Sequence, residues 1–97
     1  MFKLAPYDVV VWHRVDPALH ERIIERAGRR PDEGIEMQGM RDMHWGFETA
    51  QDAIKFADSL LEIAASDEVI VLSVNASRDE RFGRKVYKDN RAKAIAN

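Results

Sequence analysis

The side chains in this 97-residue chain that titrate near neutral pH are its three histidines, His13, His20 and His44. None has the H-x-x-x-H or H-E-x-x-H spacing that sets two metal ligands on one helix face. Cysteine is absent, which excludes disulfides, thiol nucleophiles and cysteine-based zinc sites. The five glycines are scattered and match no phosphate-cradling loop, and no serine stands in a nucleophile-elbow context. His44 is left as the candidate general acid or base. The bland alternative is a surface or interface histidine with a satisfied hydrogen bond, and whether the chain is an enzyme stays open. Trp12, Arg14, Gln38, Asn75 and Tyr87 are the candidates to position a small anionic or aromatic ligand beside it. No metal and no cofactor is expected. His20 reads as a solvated residue on the polar side of a helix.

These residues must be positioned by the elements around them. Tyr7 to Val15 reads as a strand, its run of valines suggesting a central one. Asp16-Pro17 starts a helix with an N-cap and a first-turn proline; Leu19, Ile23 and Ala27 form its apolar stripe, and Gly28 ends it. Ile35 to Glu48 alternates as a hairpin with its turn near Gly39-Met40-Arg41-Asp42. Thr49 and Asp52 resemble a capping box ahead of a second helix, whose apolar face is Ala53, Phe56, Ala57, Leu60 and Ala64. Val69 to Val74 is a strand apolar on both faces. From Ser77 onward nothing is assigned firmly, although Val86 and Tyr87 suit a short extra strand and Asn90 a cap for a final helix.

The order strand, helix, strand, strand, helix, strand resembles the ferredoxin-like α/β plait, an α+β fold with two helices on one face of an antiparallel sheet. The domain would run over residues 1–77, with 78–97 as a basic C-terminal extension. Alternation then sorts the side chains. Met43, Trp45, Phe47, Ile70, Leu72 and Val74 should face the helices, as should Ile35 and Met37. Gln38, Asp42, His44 and Glu48 should lie on the free face beside Val69, Val71, Ser73 and Asn75. From the first strand Val10, Trp12 and Arg14 are placed there too. Val69 and Val71 are the expected interface residues, because an apolar free face usually marks an interaction site and a C2 homodimer is the commonest way to cover one. Stacking of this kind is similar to that of dimeric α+β barrels, in which a pocket often lies between the sheet and a loop or tail.

Charge is divided unevenly. Residues 1–77 hold eight Lys and Arg against fourteen Asp and Glu, whereas residues 78–97 hold seven against three. A tail folding back onto an acidic body, its own or a partner's, accounts for this better than a nucleic-acid arm, because acids interrupt the basic run. The segment Trp45-Gly46-Phe47-Glu48-Thr49-Ala50-Gln51-Asp52-Ala53 resembles the third strand and second helix of RNA-recognition motifs. With Phe47 on that family's last strand aromatic, its two stacking positions fall on Asp42 and His44, its basic position on Met40, and its first-strand position near Val10. RNA stacking needs aromatic platforms, and an aspartate repels phosphate, so the resemblance supports the topology and counts against RNA as a partner. No stretch approaches the ~20 apolar residues of a membrane span, and the N-terminus lacks a leader's apolar run, so a soluble cytoplasmic protein is expected.

Overall fold

The computed structural model describes residues 5–91; segments 1–4 and 92–97, on which the leader reading and most of the final helix fall, lie outside them. Its elements are β1 (Tyr7–Arg14), α1 (Pro17–Ala27), β2 (Glu33–Met37), β3 (Met40–Phe47), α2 (Ala50–Ser59), α3 (Leu61–Ala64), β4 (Val69–Ala76) and β5 (Lys85–Asp89). The fold is α+β: one antiparallel five-stranded sheet with three helices. Strand order is β2-β3-β1-β4-β5, which places β1 at the centre and β2 and β5 at the edges.

The helix ends follow local chemistry. The Asp16 carboxylate accepts from the backbone N–H of Ala18 and Leu19, and Gly28 closes α1 in the left-handed region at φ 76°. Thr49 Oγ1 accepts from the Asp52 N–H at 3.2 Å and starts α2. One hydrophobic core lies between the helices and one sheet face. Val9 and Val11, Met43 and Trp45, and Leu72 and Val74 meet Leu19, Ile23, Ala53 and Ala57 there. Trp45 is fully buried, and its indole N–H donates to the Arg29 carbonyl at 3.2 Å. Burying such a side chain removes well over 100 Å² of apolar surface from water, so it anchors this layer.

Three details of register correct the sequence reading. The β2–β3 turn is Gln38-Gly39, with φ of 52° and 77°, a two-residue type I′ geometry. Ile35 therefore pairs with Asp42 and Met37 with Met40, and both turn to the helix-free face instead of the core. On β4 a bulge inserts Ile70 between the pairs Trp12–Val71 and His13–Val69. The extra residue flips Val69 into the core, 1% exposed, so it is not on the free face. A second bulge leaves Tyr87 between Val86, opposite Ser73, and Lys88, opposite Leu72. Tyr87 consequently packs on the core side, with Asp58 close enough to raise its pKa after burial has done so, away from the candidate ligand site.

The basic extension is in part structural. β5 pairs with β4, and Tyr7 Oη donates to Asp79 at 2.7 Å, tying the intervening loop to β1. Lys88 Nζ donates to the carbonyls of Ala64 and Ser66 at the end of α3. Among the described residues no helix is long and apolar enough to cross a membrane.

Candidate functional site

The helix-free sheet face holds a groove of about 800 Å³. Its floor is Val10 and Trp12 from β1 with Val71 and Ser73 from β4. Ile35, Met37 and Met40 form the wall on the β2–β3 side. Arg14 and Asn75 stand on the central strands, and Arg84 and Arg91 enter from the segments flanking β5. Trp12, Arg14, Gln38, Asn75 and Val71, singled out from the sequence, thus lie along one groove, whereas Tyr87 and Val69 do not.

The apolar character extends past the groove. Ile35 is 61% exposed, Met37 64% and Val86 50%, and all three project from this face near its two edges, Val86 being opposite Ser73. With Val10, Trp12 and Val71 between them, apolar side chains cross the face from β2 to β5. Val71 itself is only 4% exposed, so its neighbours already cover it within one chain.

His44 lies on the same face beside the groove, one step along β3 from Asp42. Its Nδ1 is 2.8 Å from Asp8 Oδ2 and its Nε2 2.9 Å from Asp42 Oδ2. Hydrogen bonding to Asp8 raises its pKa to about 9, with Asp42 adding to the effect and partial burial opposing it. At neutral pH the ring is an imidazolium clamped between two carboxylates, with both N–H groups spent. That arrangement suits a charged brace linking β1 and β3. A general base working near neutrality would need a free ring nitrogen.

His13 and His20 sit on the opposite, helix-covered side, their ring centroids 5.7 Å apart. His13 is fully buried, and its Nδ1 lies 2.6 Å from the Arg14 carbonyl, so Nδ1 carries the proton. Burial lowers the pKa of both rings, and Arg41 adds to this in each. His20 is not the solvated residue expected: its Nδ1 is buried with no partner among the described residues, as are His13 Nε2 and Arg41 Nε. The reason lies in the helix phase, which sets His20 one residue past Leu19 and over the end of β1. Among the described residues no group of three or more His, Asp or Glu is placed to hold a metal ion.

The sequence reading missed Ile35, Met37, Met40, Arg84 and Arg91 as groove residues. For Ile35 and Met37 the available signal was Gly39, whose position after a polar residue suits a two-residue turn. Arg84 shares the parity of Val86, but that parity has meaning only once β5 is known to pair with β4. Compared with family models, with curated proteins and with solved structures, the chain matches none.

Proposed function

We propose that this chain is a self-associating binding module that pairs with a second copy through its helix-free sheet face. The observation that supports it is the apolar band from Ile35 and Met37 across Trp12 to Val86, much of it exposed in the single chain. Five strands ~4.8 Å apart, with about six residues each at ~3.4 Å, span roughly 500 Å² of flat area. Two copies face to face would bury on the order of 1,000 Å², the lower bound for a specific interface. The two rims are apolar at opposite edges of one face, so a C2 operation can bring each against its partner without a special fit. We read the sheet as a ferredoxin-like plait that β5 extends at the β4 edge, and a soluble cytoplasmic homodimer is the setting proposed.

The alternative in which His44 acts as acid or base is less well supported, because Asp8 and Asp42 hold its proton. Nucleic-acid binding by the tail is less well supported too, since Arg91 is committed to Asp89 and Lys88 to helix-end carbonyls.

The test is subunit number by sedimentation velocity at micromolar concentration. Val71→Lys should yield a monomer, because each lysine would place an unpaired charge on the face that the second copy covers. Val71 is buried in the single chain, so that variant can also lose its fold. Val86→Lys alters a half-exposed residue and should leave the fold intact while weakening the pair by tenfold or more. A Val86→Lys protein that stays dimeric with unchanged affinity refutes the proposed face.

A further inference from the structure

The groove on the helix-free face is not neutral. Three arginines reach it, Arg14, Arg84 and Arg91, and one acid, Asp42. The Asp42 carboxylate is bridged by the His44 ring at 2.9 Å, a ring it shares with Asp8, so its charge is offset in part. Arg91 is spent on Asp89. Arg14 reaches Glu68 only at 3.9 Å, and Arg84 closes no ion pair among the described residues. Both guanidinium groups thus stand over an apolar floor without a close ion pair, Arg14 loosely facing Glu68 and Arg84 within electrostatic reach of Asp89.

The floor holds a second polar signal. Ser73 is 1% exposed, and its Oγ accepts from Asn75 Nδ2 at 3.3 Å. Its own O–H is donated to no described group, so the buried centre of the groove has one unspent donor. Trp12 likewise offers an indole face, whereas the other tryptophan, Trp45, is locked in the core.

We propose that this groove binds a small amphipathic anion: a flat apolar body laid on Val10 and Trp12, with one carboxylate held by Arg14 or Arg84. Charge complementarity selects the anion. A guanidinium makes charge-assisted, paired hydrogen bonds to a carboxylate, and a low-dielectric floor strengthens them. The volume of about 800 Å³ fits a molecule of two or three fused rings with room to spare. The site shares its face with the self-association proposed above and rests on it only for closure: Ile35, Met37 and Val86 would meet the partner at the rims, leaving the trough as a cavity between the sheets.

The experiment is a titration of the full chain with 1-naphthoate, read by the Trp12 indole N–H resonance in ¹⁵N-correlated spectra and assigned with Trp12→Phe. 1-Naphthylmethylammonium, the same ring with a cation, is the control. The expected result is a saturable Trp12 shift with naphthoate, at least tenfold weaker binding of the ammonium, and at least tenfold loss of naphthoate affinity in Arg14→Gln/Arg84→Gln. Both arginines are on the surface, so the doubly substituted chain should keep its fold, which its spectrum reports directly. No saturable response, an equal response to both probes, or full affinity in the doubly substituted chain overturns the proposal. Sedimentation velocity on the same samples separates the two ideas. Naphthoate binding by a monomer upholds the site and refutes self-association, and a dimer that ignores naphthoate does the reverse.

Discussion

Removing the His44 cation should change how stability depends on pH, and the size of the change follows from the geometry. The ring bridges Asp8 and Asp42 at 2.8 and 2.9 Å, and its pKa rises from 6.5 to about 9. Each pKa unit corresponds to ~1.4 kcal/mol, so the full shift sets an upper bound of roughly 3.4 kcal/mol. The carboxylates are 37% and 44% exposed, and solvent screening reduces that bound to about 1–2 kcal/mol. The sign follows from proton counting. Between pH 6.5 and 9 the folded chain holds a proton that the unfolded chain has released, so stability falls as pH rises through that window. The stabilisation is fully present below 6.5. Urea unfolding measured at intervals from pH 6 to 10 should therefore show wild type losing about 1–2 kcal/mol more than His44→Gln across the window. Taking the difference between the two proteins cancels the lysines and tyrosines that titrate at the alkaline end. NMR titration of the His44 ring should give a midpoint near 9. A midpoint near 6.5, or parallel stability curves for the two proteins, would refute the clamp.

The acid limb should be set by a different pair. His13 and His20 have lowered pKa values, chiefly through burial, so their contribution is present above 6.5 and lost as pH falls through their folded values; His13→Phe should flatten the acid side of the urea curve and leave the alkaline side unchanged. Thr49→Ala removes the acceptor for the Asp52 N–H at the start of α2 and should cost about 1 kcal/mol in urea unfolding. A cost below a few tenths of a kcal/mol would mean that the cap contributes little to stability.

Much of the fold was legible because its signals are local. Asp16-Pro17, Gly28 and Thr49 bound helices by their own hydrogen bonds and backbone preferences, and the alternation of Met43, Trp45 and Phe47 names the buried face of β3 without help from the rest of the chain. Legibility ended where one extra residue decides the outcome. Ile70 and Tyr87 are bulge residues, and nothing in their own identities announces it, yet each moves a neighbour or itself to the other side of the sheet. Ile35 and Met37 depended on how many residues the turn holds: the two-residue turn Gln38-Gly39 pairs them with Asp42 and Met40, whereas a loop one residue longer would have put them on the face of Met43 and Trp45. The candidate site divides in the same way. Trp12, Arg14 and Val71 were readable from the parity of central strands. Arg84 and Arg91 were not, because they join the groove only through a strand pairing distant in sequence. The clamp on His44 also needed the third dimension: Asp8 is 36 residues away and meets it only across the β1–β3 ladder.

The most direct test of the central claim is the subunit number of the wild-type chain beside Val86→Lys, by sedimentation velocity from 1 to 100 μM. The expected result is a wild-type dimer and a folded Val86→Lys chain shifted to monomer by at least tenfold in concentration. A wild-type monomer throughout the range, or a dimer indifferent to that lysine, would contradict self-association through the helix-free face.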